Sequence, residues 1–310
     1  MKKIAQTGSL LFLLAVVFYF GIAAVLSSFN LKGRRAITHI VPYLQLKGGH
    51  EPVMFNDFHP EHPYDVIVLG SSRAYRGYDP DIFQAYNLDM FNAGTSAQHP
   101  LATWNLLTEL IKPQKEPLYI VDVFDFVFEG EGIESSGRII ENLPENSQAF
   151  DLMVHHPDLR NVNAFTARLL SQDTPDESPV KQYVRNGFCN TTDTLKHQLT
   201  PRVFYHFKQN DRFVEYFEKV MTELDRRNAK YVYVCAPYPT NSLRKTFHLD
   251  FLQAIQPTMQ KHAAPFFDCS FSEVFTDTLD FSDDMHLNAN GVPKFNRLLL
   301  TELKRKGLVN

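Results

Sequence analysis

The sequence predicts an α/β fold: a three-layer sandwich with a central parallel five-stranded sheet, helices on both faces, and one apolar helix ahead of it. Three observations carry this expectation. Short, continuous apolar runs end in glycine, serine or proline turns; segments with helical spacing lie between them; and a chain of 310 residues, 44% hydrophobic and 21% charged, has the composition of a folded domain with a sizeable core. Strands that are apolar throughout, not alternating, belong to sheets covered on both sides.

Asp65-Val-Ile-Val-Leu-Gly70 predicts a first strand ending near Leu69, where Gly-Ser-Ser makes a tight turn. Met90-Phe-Asn92 predicts a second, stopped by Ala93-Gly94-Thr95-Ser96, and Leu101 to Ile111 then carries apolar residues at helical spacing. Leu118 to Phe124 and Lys230 to Ala236 read as the third and fourth strands, the latter halted by Pro237 and Pro239, and Pro265 to Cys269 as the fifth. Leu249, Leu252, Ile255 and Met259 place a helix between Phe247 and His262; another is expected near Arg202 to Arg227, and Pro293 to Lys306 closes the chain as an amphipathic helix. Residues 129–200 break this rhythm with polar stretches such as 171–178 and read as an insertion after strand three. The organisation expected is a membrane segment over 1–31, a tether over 32–63 and a folded domain over 64–310.

The first segment is a run from Leu10 to Leu26 interrupted only by Gly21. As a helix it rises about 25 Å, the short limit for crossing a hydrocarbon layer, and it exceeds the core of about 7–15 residues usual in a cleaved signal peptide. An uncleaved single-pass anchor is therefore favoured, with Ala23, Ala24 and Ser27 leaving cleavage open. Lys2 and Lys3 before the run and Lys32, Arg34 and Arg35 after it flank both ends, so positive charge gives no orientation.

The net charge of -4, from 31 Lys plus Arg against 35 Asp plus Glu, and the lack of a dense basic stretch exclude nucleic acid as an expected partner. Cys189, Cys235 and Cys269 form no C-x-x-C pair, so neither a disulfide framework nor a structural metal is expected, and Cys235 and Cys269 read as buried hydrophobes. His155 and His156, with no acidic ligands at metal-like spacing, read as surface residues, and Arg73 and Arg76 as helix-start residues on a solvated face.

Three segments carry candidate chemistry. Gly70-Ser71-Ser72-Arg73 puts serines on a strand-to-helix turn, where a hydroxyl is held for attack or simply caps the helix. Gly94, at the end of the second strand, allows close approach of backbone to a ligand, so that an N–H there meets a developing oxyanion, or it is an ordinary turn glycine. The loop Asp280 to Gly291 contains His286, whose unperturbed pKa of about 6.5 suits a general base at neutral pH. Asp283 reaches that ring if the loop turns back, Asp284 is the rival, and the alternative is a surface loop capping the last helix.

Gly70-Ser71-Ser72-Arg73 after strand one, Asn92-Ala93-Gly94 after strand two, and Asp283-x-x-His286-Leu287-Asn288-x-x-Gly291 before the last helix resemble, in this order, the SGNH or GDSL-like hydrolase superfamily. The resemblance spans most of residues 65–306. It implies a flavodoxin-like sandwich with Ser72 as nucleophile, Asp283 as orienter, His286 as base, and the N–H groups of Ser72 and Gly94 in the oxyanion hole, with no metal or organic cofactor. Ser71 stands where the family often has Asp, a variant similar to membrane-anchored members near the D-alanyl-lipoteichoic acid and polysaccharide O-acetylation proteins. The chain departs from the family after strand three, where Asp122-Val-Phe-Asp125 lacks the usual oxyanion-hole Asn and an ionised Asp125 would repel the oxyanion. The function implied is a serine esterase acting on ester-linked, acetyl-like acyl groups of a surface or extracellular polysaccharide, anchored in the cell membrane with its catalytic domain outside. The alternatives are an acyltransferase working with a membrane-bound acyltransferase partner and a catalytically weak glycan-binding scaffold.

Overall fold

Five strands, β1 (Val66–Leu69), β2 (Met90–Asn92), β3 (Leu118–Asp122), β4 (Lys230–Cys235) and β5 (Phe266–Asp268), form one parallel sheet in the order β2-β1-β3-β4-β5. The computed structural model describes residues 2–31, 34–39, 49–170, 182–195, 207–239 and 245–309. Val66 lies opposite both Met90 and Leu118, and Leu118 opposite Lys230. In this strand order the direction of winding reverses beside β1, and such a switch point opens a crevice at the carboxyl ends of the strands.

Every residue of β1 is buried, and successive residues serve opposite layers. Val66 and Val68, with Met90, Ile120, Val232 and Val234, pack on the helices α3 (Ser72–Gly77), α4 (Pro80–Gln84) and the last helix, α12 (Gly291–Arg305). Ile67 and Leu69, with Tyr119, Val121 and Tyr233, face α5 (Pro100–Asn105), α9 (Asp211–Arg226) and α10 (Lys245–Lys261). In α12, Phe295, Leu299, Leu300 and Leu303 are fully buried at helical spacing, each contributing about 1.5–3 kcal/mol by removal from water. The sandwich expected from the sequence is the observed architecture.

The elements differ from expectation where tertiary contacts decide. β3 stops at Asp122 because a 3-10 turn, Asp125–Phe128, follows, and the helix predicted over 101–111 continues past α5 as a π-helical turn closed by Ile111 N–H to Leu106 O at 2.7 Å. The helix expected from Arg202 begins at Asp211, capped by the Asn210 side chain, and 202–206 lie outside the described residues. The insertion contains three helices, α6 (Ile133–Asn142), α7 (Asn146–His155) and α8 (Leu159–Leu170), then a hairpin of Tyr183–Arg185 and Phe188–Cys189; its polar stretch 171–178 is outside the described residues.

Part of the expected tether is structured instead. α2 (Glu51–Asp57) buries Met54 and Phe55, and Phe58, Tyr64 and Phe91 stack behind it with ring centroids 5.0–5.8 Å apart. These side chains cover the β2 side of the sheet, which a solvated linker would leave open. At the N-terminus α1 (Lys2–Ser28) contains the stretch Gln6–Ser28, whose most apolar 18 residues have a mean hydropathy of 2.6, long and apolar enough to cross a membrane. Its later turns touch α8, where the Tyr19 hydroxyl donates to Asn163 Oδ1 at 2.7 Å.

The hairpin turn Asn186-Gly187, both at positive φ, covers the edge of β2: Asn92 N–H donates to Asn186 O at 2.9 Å. A Cβ on Gly187 would stand 1.8 Å from Asn92 O, and φ there is +80°. Gly187→Ala is expected to lower stability by about 1–3 kcal/mol, measured by urea unfolding; an unchanged midpoint would show that the hairpin does not hold this edge.

Candidate active site

The serine turn is built by close approach. A Cβ on Gly70 would meet Ala74 Cβ and Asp122 Cβ, each at 2.9 Å, so only glycine lets β1 turn into α3 over β3. Ser71 is the N-cap, its carbonyl accepting from Ala74 N–H at 2.9 Å and its hydroxyl from Arg73 N–H at 3.5 Å. Ser71 thus does locally what a capping Asp would do. Ser72 falls on the first helical position, and no acceptor among the described residues engages its backbone N–H.

The other half of the site is a loop between α11 (Asp277–Asp280) and α12. An isolated bridge pairs Phe281 with Leu287, and Ser282 N–H donates to His286 O at 2.9 Å, so the loop turns back on itself. Buried Asn288 locks its base: Nδ2 donates to Leu279 O at 2.9 Å, and Oδ1 accepts from Asn290 and Gly291 N–H at 2.9 and 3.2 Å, capping α12. At the tip, Asp283 Oδ1 accepts from the Met285 and His286 amides, each at 2.9 Å.

The structure brings Ser72, His286 and Asp283 into one chain of contacts. His286 Nδ1 lies 2.9 Å from both Asp283 carboxylate oxygens, and Nε2 lies 2.8 Å from Ser72 Oγ. With a carboxylate at Nδ1 the ring proton belongs there, and Nε2 accepts the Ser72 hydroxyl proton. Burial works to raise the Asp283 pKa, but the hydrogen bonds from the His286 ring and the two amides outweigh it and hold the carboxyl below its ordinary range. Asp283, not Asp284, is the carboxylate at the ring.

Three further hydrogen bonds and one ring contact explain how groups so far apart in sequence meet. In α12, Asn296 Nδ2 donates to Gly77 O at 2.6 Å while its Oδ1 accepts from Asp79 N–H at 3.0 Å, fastening the end of α3. Phe295 meets Tyr78 edge-on at 5.1 Å, and the Tyr78 hydroxyl donates to Asp122 Oδ2 at 2.7 Å.

Gly94 sits against α3, where a Cβ would stand 2.8 Å from Ser71 O and 2.9 Å from Tyr75 N. Its N–H, however, donates to Asn92 Oδ1 at 3.1 Å, and its carbonyl accepts from His50 Nε2 at 3.0 Å. The donor expected at Gly94 is therefore engaged internally, because the Asn92 carboxamide folds back while its Nδ2 donates to Ala74 O at 2.7 Å. Asp125 is fully buried, with Oδ2 3.8 Å from His248 Nδ1.

Two expectations are corrected. Arg73 is buried, not solvated: Nη2 donates to the carbonyls of Ala236 and Pro237, and the guanidinium lies 3.7 Å over the Tyr238 ring and 5.0 Å from that of Phe124. His156 is likewise buried, against His99 and Phe213, and burial pushes its pKa down to about 4; His155 is half-buried, its Nδ1 3.0 Å from Asp151 O. Sequence spacing carries no signal for either, since nothing local marks a charged or titratable side chain as interior.

No family model and no curated protein matches the chain. Among solved structures it is similar to a lipase/acylhydrolase from Enterococcus faecalis (14% identity, 78% of this chain and 95% of that one, TM-score 0.39). It is also similar to a psychrotrophic esterase from Pseudoalteromonas (12%, 79% and 98%, 0.42) and to a catalytic mutant of an acetylxylan esterase from Geobacillus stearothermophilus (12%, 78% and 95%, 0.42).

Beneath the serine turn, burial raises the Asp122 pKa to about 6, against the lowering effects of Arg73 and the Tyr78 hydroxyl. A carboxyl raised on folding contributes stability that is full below its unfolded pKa of about 3.9 and is lost as pH rises through the folded value. Asp122→Asn is expected to remove about 1–3 kcal/mol of the stability lost between pH 4 and pH 6, read from unfolding midpoints across that range. An unchanged slope would contradict this assignment.

Proposed function

We propose that the chain is a serine esterase of the SGNH type, removing or transferring ester-linked, acetyl-like acyl groups on a cell-surface or extracellular polysaccharide. In this reading α1 anchors it in the membrane, with the α/β domain on the extracytoplasmic side. The observation that carries the chemistry is the run of contacts from Ser72 Oγ through His286 to Asp283, at the carboxyl end of a parallel sheet. The order of the three sequence blocks supports the same assignment.

Ser72 Oγ attacks the acyl carbonyl carbon as its proton passes to His286 Nε2, giving a tetrahedral oxyanion opposite the Ser72 N–H. Asp283 holds the imidazole and stabilises the imidazolium. That proton then passes to the departing sugar oxygen, the C–O bond breaks, and an acyl-Ser72 intermediate remains. Water, or a hydroxyl of an acceptor, gives its proton to His286 and attacks the acyl carbon; the bond from that carbon to Ser72 Oγ then breaks, and Oγ takes the proton back from His286, which restores Ser72.

Transfer is the second reading, and it uses the same Ser72, His286 and Asp283 as hydrolysis. With Gly94 N–H given to Asn92 Oδ1 and no Asn after β3, the hole has fewer donors than the family pattern, and each lost donor costs about 10²–10³-fold. Hydrolysis and transfer are slowed alike, and in the transfer reading a membrane-bound acyltransferase partner supplies the acyl group.

Two measurements test this reading. Intact-mass analysis after treatment with a fluorophosphonate is expected to show one adduct on Ser72, absent in Ser72→Ala; a folded wild-type chain that takes no label is a binding scaffold instead. Asp283→Asn is expected to cut kcat for an activated acetyl ester by about 10⁴-fold while leaving the fold intact by circular dichroism, whereas a loss under tenfold would remove Asp283 from the machinery.

A further inference from the structure

At the far side of the sheet's carboxyl edge, three ligand-bearing side chains from three elements converge. Cys235 ends β4, Asp268 ends β5, and His248 lies in the first turns of α10. His248 Nε2 is 3.9 Å from Cys235 Sγ and 3.8 Å from Asp268 Oδ2, and all three ligand atoms lie within 4.8 Å of one another. Cys235 and His248 are buried, while the Asp268 side chain is 38% exposed and opens the cluster to solvent.

We infer that Cys235, His248 and Asp268 form a divalent transition-metal site, best suited to Zn²⁺, that ties β4, β5 and α10 together. Thiolate, imidazole and carboxylate are the donors zinc takes, and bonds of about 2.0–2.3 Å in tetrahedral array set ligand atoms about 3.3–3.7 Å apart. The present separations need to close by only a few tenths of an ångström to about 1 Å. Asp268 is already oriented: its Oδ1 accepts from Ser270 N–H at 3.0 Å and from the Ser270 hydroxyl at 2.5 Å, which leaves Oδ2 for the cluster.

Behind the imidazole, Asp125 Oδ2 stands 3.8 Å from His248 Nδ1. A carboxylate facing the other ring nitrogen is the usual partner of a metal-bound histidine, fixing its orientation. This gives a use to the Asp125 carboxylate that the proposed oxyanion hole leaves out. The Cys235 thiolate with Asp125 and Asp268 supplies negative charge to offset a divalent cation and the Arg73 guanidinium, which is held on the neighbouring Ala236 and Pro237 carbonyls. On binding, the Cys235 Sγ–H proton and the His248 Nε2–H proton both leave to solvent, His248 then ligates through Nε2 while Nδ1–H faces Asp125, and water completes the fourth position from the exposed side.

The test is titration of the full-length chain in detergent with Co²⁺ as a spectroscopic stand-in for zinc. The expected result is one equivalent bound per chain with a thiolate-to-cobalt charge-transfer absorption, displaced by Zn²⁺. It is lost in Cys235→Ser and retained in Cys269→Ser and Cys189→Ser. Asp125→Asn is expected to weaken binding about 10–100-fold without abolishing the band. Absence of the band in the wild type, or its survival in Cys235→Ser, overturns the site. Should Cys235→Ser fail to fold, His248→Gln decides by the same readout: a loss of affinity of at least tenfold supports the site, and an unchanged affinity overturns it.

Discussion

The rest of the site depends on one contact, the 2.8 Å approach of His286 Nε2 to Ser72 Oγ between residues 214 positions apart. Neither group is held by its own loop alone. Ser72 is placed by a turn that tolerates only glycine at residue 70, because β3 runs immediately beneath. His286 is placed by a loop folded on itself through Asp283 and Asn288. Asn296 and Phe295 of α12 then bind the loop's helix to the end of α3. Around this contact Asn288 and Asn296 are each committed through both amide atoms, as a fixed geometry requires when polar groups leave water.

Commitment has a chemical consequence on the β2 side. Asn92 fastens the second turn to α3 through Nδ2 and takes the Gly94 N–H through Oδ1, so one side chain holds the turn and engages the N–H expected to serve as a donor in the proposed oxyanion hole. His50 draws the Gly94 carbonyl the other way, and Glu51 beside it is buried against Arg138. The segment next to α2, which connects toward the apolar N-terminal helix, is thereby part of the wall behind the site.

The sheet was legible because its strands are short, apolar on both faces and ended by turn residues, a pattern that needs no tertiary information. That Ser72, Asp283 and His286 meet was legible because side chains of these types in this chain order point to one arrangement, and the loop's return on itself was the one geometric condition it needed. What could not be read rests on long-range partners. Arg73 has a favourable interior only because the Ala236 and Pro237 carbonyls and the Tyr238 ring meet it there. Likewise, α2 is core because Phe91 and Tyr64 stack behind it, and His156 is buried because the insertion folds over His99 and Phe213. The convergence of Cys235, His248 and Asp268 has no spacing signature, since each comes from a different element.

The most direct measurement of the central contact is a double-mutant cycle on kcat/KM for an activated acetyl ester, using Ser72→Ala, His286→Ala and the double variant. If hydroxyl and imidazole act as one unit, the double variant falls no further than either single one, within about threefold. If the two losses multiply, hydroxyl and imidazole contribute independently, and the account of a serine activated by His286 is contradicted.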